Sequence, residues 1–296
     1  MTASPRPLQG TRVLSLALNL PGPAALMRCR AMGAACVKLE PPAGDPMAHY
    51  NPQAYAELHE GVQVLVADLK AEAGQHALHE ELTHTDVLLT SFRPSALKKL
   101  GLDWPQLHAR YPSLSQVAIV GGPGAEAEVP GHDLTYLAEH GLVTGTDLPA
   151  TLFADMGGSL MAGEAVLQAA LLQARHRCDP AAAPAGHYFE VALAEAARYL
   201  ALPRHWGLTQ PAGAVGGAHA GYRVYPCKDG RVAVAALEPH FAAALCEAAG
   251  LAGTDLKGMF APATHAAIRD FLAGLTRAEL DELARQKDLP LHTLAA

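Results

Sequence analysis

The sequence predicts an α/β protein, an open, mostly parallel sheet in a large domain followed by a smaller α+β domain. Three observations carry this. Short apolar runs alternate with helical segments through the first 120 residues. The opening strand, helix, glycine and second strand fit within about thirty residues, as a parallel βαβ unit with a right-handed crossover requires. Beyond a Gly-rich stretch ending near residue 218, a hairpin signal starts a new set of elements.

The elements follow in order. Arg12–Leu18 (RVLSLAL) reads as a strand, stopped by Leu20–Pro23 (LPGP) before a helix over Ala24–Met32; Gly33 ends the helix and Ala35–Leu39 is the second strand. Val62–Ala67, Asp86–Leu89 and Leu114–Val120 are further strands, separated by helices at Glu72–Leu82 and Ser95–Lys99. A short helix covers Leu134–His140. Gly157–Arg175 is apolar, Ala-rich and strongly helical, with Asp155 in its N-cap neighbourhood, and a second helix spans Val191–Leu202. Tyr222–Tyr225 and Arg231–Ala236 form a hairpin about Lys228-Asp229-Gly230, and helices at Pro239–Ala249, His265–Leu275 and Arg277–Arg285 complete the second set. The Ala/Gly/Pro-rich stretches Asp179–Gly186 and Thr209–Gly221 are loops or linkers. The chain thus divides into a large domain over 1–190, a helix and linker over 191–218, a small domain over 219–285 and a final segment over 286–296.

Composition narrows the function. With 296 residues, 50% of them hydrophobic and 17% charged, the chain can bury an ordinary core. A net charge of −7 provides no basic field for nucleic acid or anionic membranes. No apolar run approaches the ~18 residues needed to cross a bilayer, and Met1–Pro7 lacks the apolar core of a signal peptide. Five cysteines without a CxxC pair suit reduced thiols, so the expected compartment is the cytoplasm. Neither HExxH nor a Cys/His set at zinc spacing occurs, so no metal is expected. GxGxxG at the first helix, GxxxxGK[ST] and GxSxG are missing too, which excludes the common dinucleotide, P-loop and hydrolase signatures.

Ligands of open α/β sheets bind beyond the carboxyl ends of the strands. Three polar positions stand at element ends. Gly131-His132-Asp133 precedes a helix and offers a base near neutral pH beside a carboxylate. Asp155-Met156-Gly157-Gly158 offers a carboxylate where glycines and free N–H groups would admit a ligand closely. Glu238-Pro239 places a carboxylate at the end of an apolar strand. From the residues alone the plainer reading of each is favoured: Asp155 as a helix cap, His132 as a surface turn residue, Glu238 as a strand-end carboxylate, and Lys38, Lys70 and Arg93 as solvated charges rather than phosphate ligands.

The ordered fragments PLQGTRVLSL, LPGP, GAACVKLEPPAGD, DLK, DVLLTSFRPSALKKLGLDW, GHDLTY, ADMGG and YRVYPCKDGRVAVAALEPHF change that weighting. Together they resemble the family III CoA-transferases, and within them the α-methylacyl-CoA racemase branch. The resemblance implies a Rossmann-like large domain that binds coenzyme A, and an interlocked homodimer in which the small domain of one chain closes the site of the other. It implies that Asp155 is the Asp of the D-x-G-G motif, a nucleophile in transferases and one of two acid/base groups in racemases. His132 and Asp133 match the G-H-D motif, His132 as the opposing base, and Glu238 matches the Glu that supports the His. Coenzyme A contacts fall on Lys38, Leu69, Lys70 and Arg93.

The expected reaction is inversion of a 2-methylacyl-CoA by two-base α-proton transfer. CoA transfer between carboxylic acids through an Asp155 acyl and CoA intermediate is the alternative, and a non-catalytic acyl-CoA-binding paralogue the third. Four departures from the family pattern accompany the resemblance. Gly61-Val62-Gln63-Val64 replaces a basic G-K-R-S-like segment, which predicts weaker coenzyme A binding. The stretch from Asp133 to Asp155 is short, and Asp179–Gly186 lacks the R-x-x-T-G-x-G-Q character. The last, 286–296, reads as a shortened return segment toward the large domain.

Overall fold

The computed structural model describes residues 5–178 and 185–296. Most of the loop expected over Asp179–Gly186, namely 179–184, lies outside the described residues. The chain divides into two compact units, Met1–Ala201 and Leu202–Ala296.

The first unit runs β1 (Arg12–Ser15), α1 (Pro21–Ala31), β2 (Ala35–Glu40), α2 (Met47–Tyr50), α3 (Pro52–Leu58), β3 (Gln63–Val66), α4 (Glu72–Leu82), β4 (Val87–Thr90), α5 (Pro94–Lys99), α6 (Trp104–Arg110), β5 (Ser115–Val120), α7 (Asp133–Glu139), α8 (Phe153–Cys178), β6 (Tyr188–Ala192) and α9 (Leu193–Leu200). Its six strands lie in the order β3-β2-β1-β4-β5-β6, and every neighbouring pair is parallel. The inner strands β1, β2, β4 and β5 are short apolar runs because both faces are covered, whereas edge strand β3 is largely exposed. The period of two sorts them: Val13, Val87, Leu89, Val117 and Ile119 pack with Leu26, Ala162, Val166 and Ala169 of α1 and α8 on one face. Leu14, Val37, Leu39 and Leu88 pack with Leu78, Leu82, Leu97 and Leu107 of α4–α6 on the other.

The second unit contains α10 (Leu202–His205), β7 (Tyr222–Cys227), β8 (Gly230–Ala235), α11 (Pro239–Ala248), α12 (Pro262–Ala273), α13 (Arg277–Lys287) and β9 (Leu291–Leu294). β8 is the middle of a three-stranded antiparallel sheet, β7-β8-β9, whose apolar side packs on Ala242, Leu245, Ile268, Leu272 and Leu280 of the helices.

The structure departs from the sequence reading in four places. Val191–Leu202 is not one helix: Tyr188–Ala192 is strand β6, paired with β5 from Gln116↔Tyr188 to Val120↔Ala192, and the helix starts only at Leu193. The Ala-rich run that suits a helix starts at Leu193, while Tyr188, Phe189 and Val191 are strand-favouring residues and pair with β5. The long helix begins at Phe153 rather than Gly157, so Asp155 sits inside its first turn instead of at the N-cap. The helices α2, α3 and α6 were unforeseen; α3 opens on Asn51, whose side chain accepts the Ala54 N–H at 3.1 Å. Finally, 286–296 is not a return segment. It ends α13 and supplies β9, paired with β8 from Arg231↔Leu294 to Val234↔Leu291.

Among the described residues no helix is long and apolar enough to cross a membrane.

Candidate active site

Three loops that leave strands β1, β4 and β5 at their carboxyl ends enclose a cavity of about 540 Å³ together with the starts of α7 and α8. Its wall includes Asn19, Arg93, His132, Tyr136 and Asp155. Position and size both suit a ligand site of an open parallel sheet.

His132 immediately precedes α7, and its backbone N–H is held by Thr135 Oγ1 at 3.0 Å, leaving an exposed imidazole in the cavity wall. Asp133, the next residue, is buried, and its Oδ1 accepts the Asp155 N–H at 3.0 Å. The carboxylate of α7 therefore caps the first turn of α8, where no helical carbonyl can reach. This one bond ties the two motifs, His-Asp and Asp-x-Gly-Gly, into a fixed geometry.

Asp155 is half-buried, and its carboxyl is pushed up to about 6. Burial is the main cause, the Asp133 charge adds to it, and His132 pulls the other way. Among the described residues His132 and Asp155 line the same cavity without an ion pair between them.

Gly157 and Gly158 do not serve ligand access as expected. A methyl group at Gly158 would stand 2.3 Å from Leu193 Cδ2, and one at Gly157 would stand 3.1 Å from Leu200 Cδ1. Their bare surfaces admit α9 against α8. In the cavity wall, Gly121 and Gly131 make room for Tyr136, since a Cβ at either would come within 2.4 or 2.5 Å of its hydroxyl oxygen. Burial and the Asp155 charge push the Tyr136 hydroxyl up, while Arg93 lowers it.

Of the expected coenzyme A residues, Arg93 is exposed and lines the cavity. Leu69 and Lys70 follow β3, half-buried and exposed respectively, and are not part of that wall. Lys38 is a correction. It is wholly buried, with its ammonium 2.5 Å from Asp45 Oδ2, 3.0 Å from Glu40 Oε1 and 2.8 Å from His59 Nε2. All three N–H donors are engaged, so no phosphate reaches it. His59 Nδ1 lies 2.7 Å from the Tyr55 carbonyl, which makes Nδ1 the donor and Nε2 the acceptor, and burial pushes the imidazole down, toward its neutral form. Glu40, Asp45 and His59 also have the spacing of a cation site, with ligand atoms within 4.8 Å of one another. The cation seated among them is Lys38. Glu238 lies in the second unit, exposed, immediately before α11.

Asn19, Tyr50, Ser91 and Tyr136 are cavity residues that sequence reasoning missed. For Asn19 the signal available was a polar residue placed between an apolar strand and LPGP.

Comparison with known proteins adds to this geometry. The family model described as CoA-transferase family III matches residues 8–295. Human α-methylacyl-CoA racemase is 27% identical over 294 residues, taking in 92% of this chain and 73% of that enzyme. Cinnamoyl-CoA:phenyllactate CoA-transferase of Clostridium sporogenes is 35% identical over 150 residues, 46% of this chain and only 36% of the relative's own length. The crystal structure of a CaiB/BaiF family protein from Brucella suis superposes with a TM-score of 0.79 at 23% identity, covering 99% of this chain and 85% of that one. That likeness concerns the fold.

Proposed function

Since the chain belongs to CoA-transferase family III, we propose that it is an acyl-CoA racemase or epimerase, inverting the α-carbon of 2-methylacyl-CoA thioesters. His132 and Asp155 are the two acid/base groups. The observation that carries this reading is their presence in one cavity, with the Asp155 carboxyl raised to about 6.

In the reaction one group takes the α-proton from one face, and the C–H electron pair passes into the thioester as an enolate. The other group delivers a proton to the opposite face, so the carbon inverts and the proton count is conserved. The step needs comparable proton affinities at the two ends. An ordinary carboxylic acid titrates about two units below an imidazole, whereas Asp155 is brought close to the imidazole range. Arg93, exposed at the cavity mouth, and Lys70 are assigned to the coenzyme A phosphates, with Leu69 beside them. Asp133 orients Asp155 through its backbone. Glu238 is assigned the support of His132 in a homodimer, an assembly consistent with the exposed Leu152, Phe153, Met156 and Leu160 along the start of α8. The free thiols Cys29, Cys36, Cys227 and Cys246 fit a cytoplasmic setting.

The likeness to a CoA-transferase at 35% identity favours a second reading. There Asp155 attacks the thioester carbonyl, the C–S bond breaks, and CoA thiolate leaves an aspartyl anhydride; thiolate then returns to the aspartyl carbonyl and expels the free carboxylate. Incubating the enzyme with each 2-methylacyl-CoA enantiomer in D2O separates the readings. Racemisation places deuterium at the α-carbon and leaves no covalent adduct. Transfer leaves an Asp155 adduct that hydroxylamine traps, without α-deuterium. Neither signal means a binding protein.

A further inference from the structure

The buried Lys38 cluster connects directly to the cavity. Asp45, held by Lys38, accepts the Asn19 backbone N–H with both oxygens, each at 3.1 Å, and also takes the Met47 N–H at 2.9 Å. Glu40 in turn receives the Asp45 N–H at 3.2 Å and the Tyr55 hydroxyl at 3.0 Å. Lys38, Glu40, Asp45 and His59 are all buried. The end of this chain of contacts is Asn19, whose backbone stands at φ 64°, in the left-handed region, and which lines the cavity with His132 and Asp155. Non-glycine residues in that region concentrate at functional sites when surrounding structure over-determines them. Here the over-determination is visible, since Asp45 fixes the peptide N–H and Lys38 fixes Asp45.

Among the described residues the Asn19 side-chain amide has no hydrogen-bond partner, and the bonds of this residue are those of its backbone N–H. It is the one side-chain amide in the cavity wall. Enolate formation puts negative charge on the thioester oxygen, and a neutral donor carried on a backbone that is already held supplies a hydrogen bond to that charge. Arg93 is exposed and suits a phosphate.

Resting on the racemase reading above, we infer that Asn19 is a further catalytic residue, donating Nδ2–H to the thioester oxygen as the enolate forms, and that Asp45 and Lys38 are positioning residues that hold its backbone. The ligand chemistry is specific: a carbonyl oxygen that becomes anionic, not a carboxylate or a phosphate.

The test measures α-proton exchange of a 2-methylacyl-CoA in D2O by full-length wild type, Asn19→Gly and Asn19→Asp. Glycine accepts the same φ and removes only the amide; aspartate keeps the shape and replaces the donor by an acceptor. Both are expected to lower kcat by about 10²- to 10³-fold, as removal of one oxyanion donor does, with KM within about twofold. Unchanged kcat in either variant, or a rise in KM alone, overturns the inference while the racemase reading stands. Absence of exchange in the wild type overturns both. Should Asn19→Gly lower the unfolding midpoint, the aspartate variant decides alone.

Discussion

Two groups of carboxylates in the first unit meet burial in opposite ways. At the Lys38 cluster, Glu40 and Asp45 are buried together with an ammonium, and every donor on that ammonium is engaged. At the cavity, Asp155 is half-buried beside a second carboxylate, Asp133, and among the described residues no cation forms an ion pair with it. The first group is locked. The second holds a carboxyl displaced to about 6, with burial as the main cause. A buried charge that is satisfied serves architecture; one left partly unsatisfied retains a proton it can give or take.

The contrast can be broken by exchanging the consequences. The largest expected effect is on activity: His132→Ala or Asp155→Asn lowers the racemisation rate by about 10²- to 10⁴-fold, the usual worth of a general acid/base group, while the unfolding midpoint stays within a few degrees. Parallel loss of folding in these variants would assign them to architecture instead. Lys38→Met should do the reverse. Leaving Glu40 and Asp45 buried without a partner is expected to destabilise by about 3–5 kcal/mol, read as a fall in denaturant midpoint at constant m-value. A variant as stable as wild type would show that the cluster is not locked by its lysine.

Smaller effects sharpen the picture. Gly158→Ala drives a methyl group into Leu193 and should destabilise by about 1–3 kcal/mol. Gly163→Ala, in the same helix with nothing within 4 Å of the new carbon, should stabilise by up to about 1 kcal/mol. Equal responses at the two sites would refute the α8–α9 packing described above.

The pH dependence follows from the sign of the Asp155 displacement. A raised carboxyl binds its proton more tightly in the folded than in the unfolded chain, so this group adds stability as pH falls through about 6 toward its ordinary value of 3.8. Its ionised form opposes folding above that window. Asp155→Asn should therefore be more stable than wild type at pH 7, and the gap should narrow on acidification. A gap that widens below pH 6 would contradict the displacement.

How much of this was legible in the sequence depends on range. The apolar runs located β1, β2, β4 and β5 because these strands are largely buried, and β3, an exposed edge strand, was located by its β-branched residues; the paired motifs pointed to His132 and Asp155. Strand β6 was hidden because Val191 and Ala192 continue into an Ala-rich helix, and only the ladder with β5 distinguishes them. Lys38 was misread because a lysine at a strand end is ordinarily solvated; Glu40 and Asp45 are near in sequence, but His59 completes the cluster from α3's end, an element without a strong local signal. Asp133 was singled out by the G-H-D motif, but its bond to the Asp155 N–H was not legible because it joins residues 22 positions apart. Gly157 and Gly158 looked like ligand access because a glycine pair at a helix start is ambiguous until its neighbour is known.

The central claim is that His132 and Asp155 approach one α-carbon from opposite faces. Deuterium wash-in to each 2-methylacyl-CoA enantiomer, measured separately with His132→Ala and Asp155→Ala, tests it most directly. Each variant should still exchange the α-proton of one enantiomer without inverting it, and the two variants should select opposite enantiomers. Exchange of the same enantiomer by both, or of both enantiomers by either, would contradict the two-face arrangement.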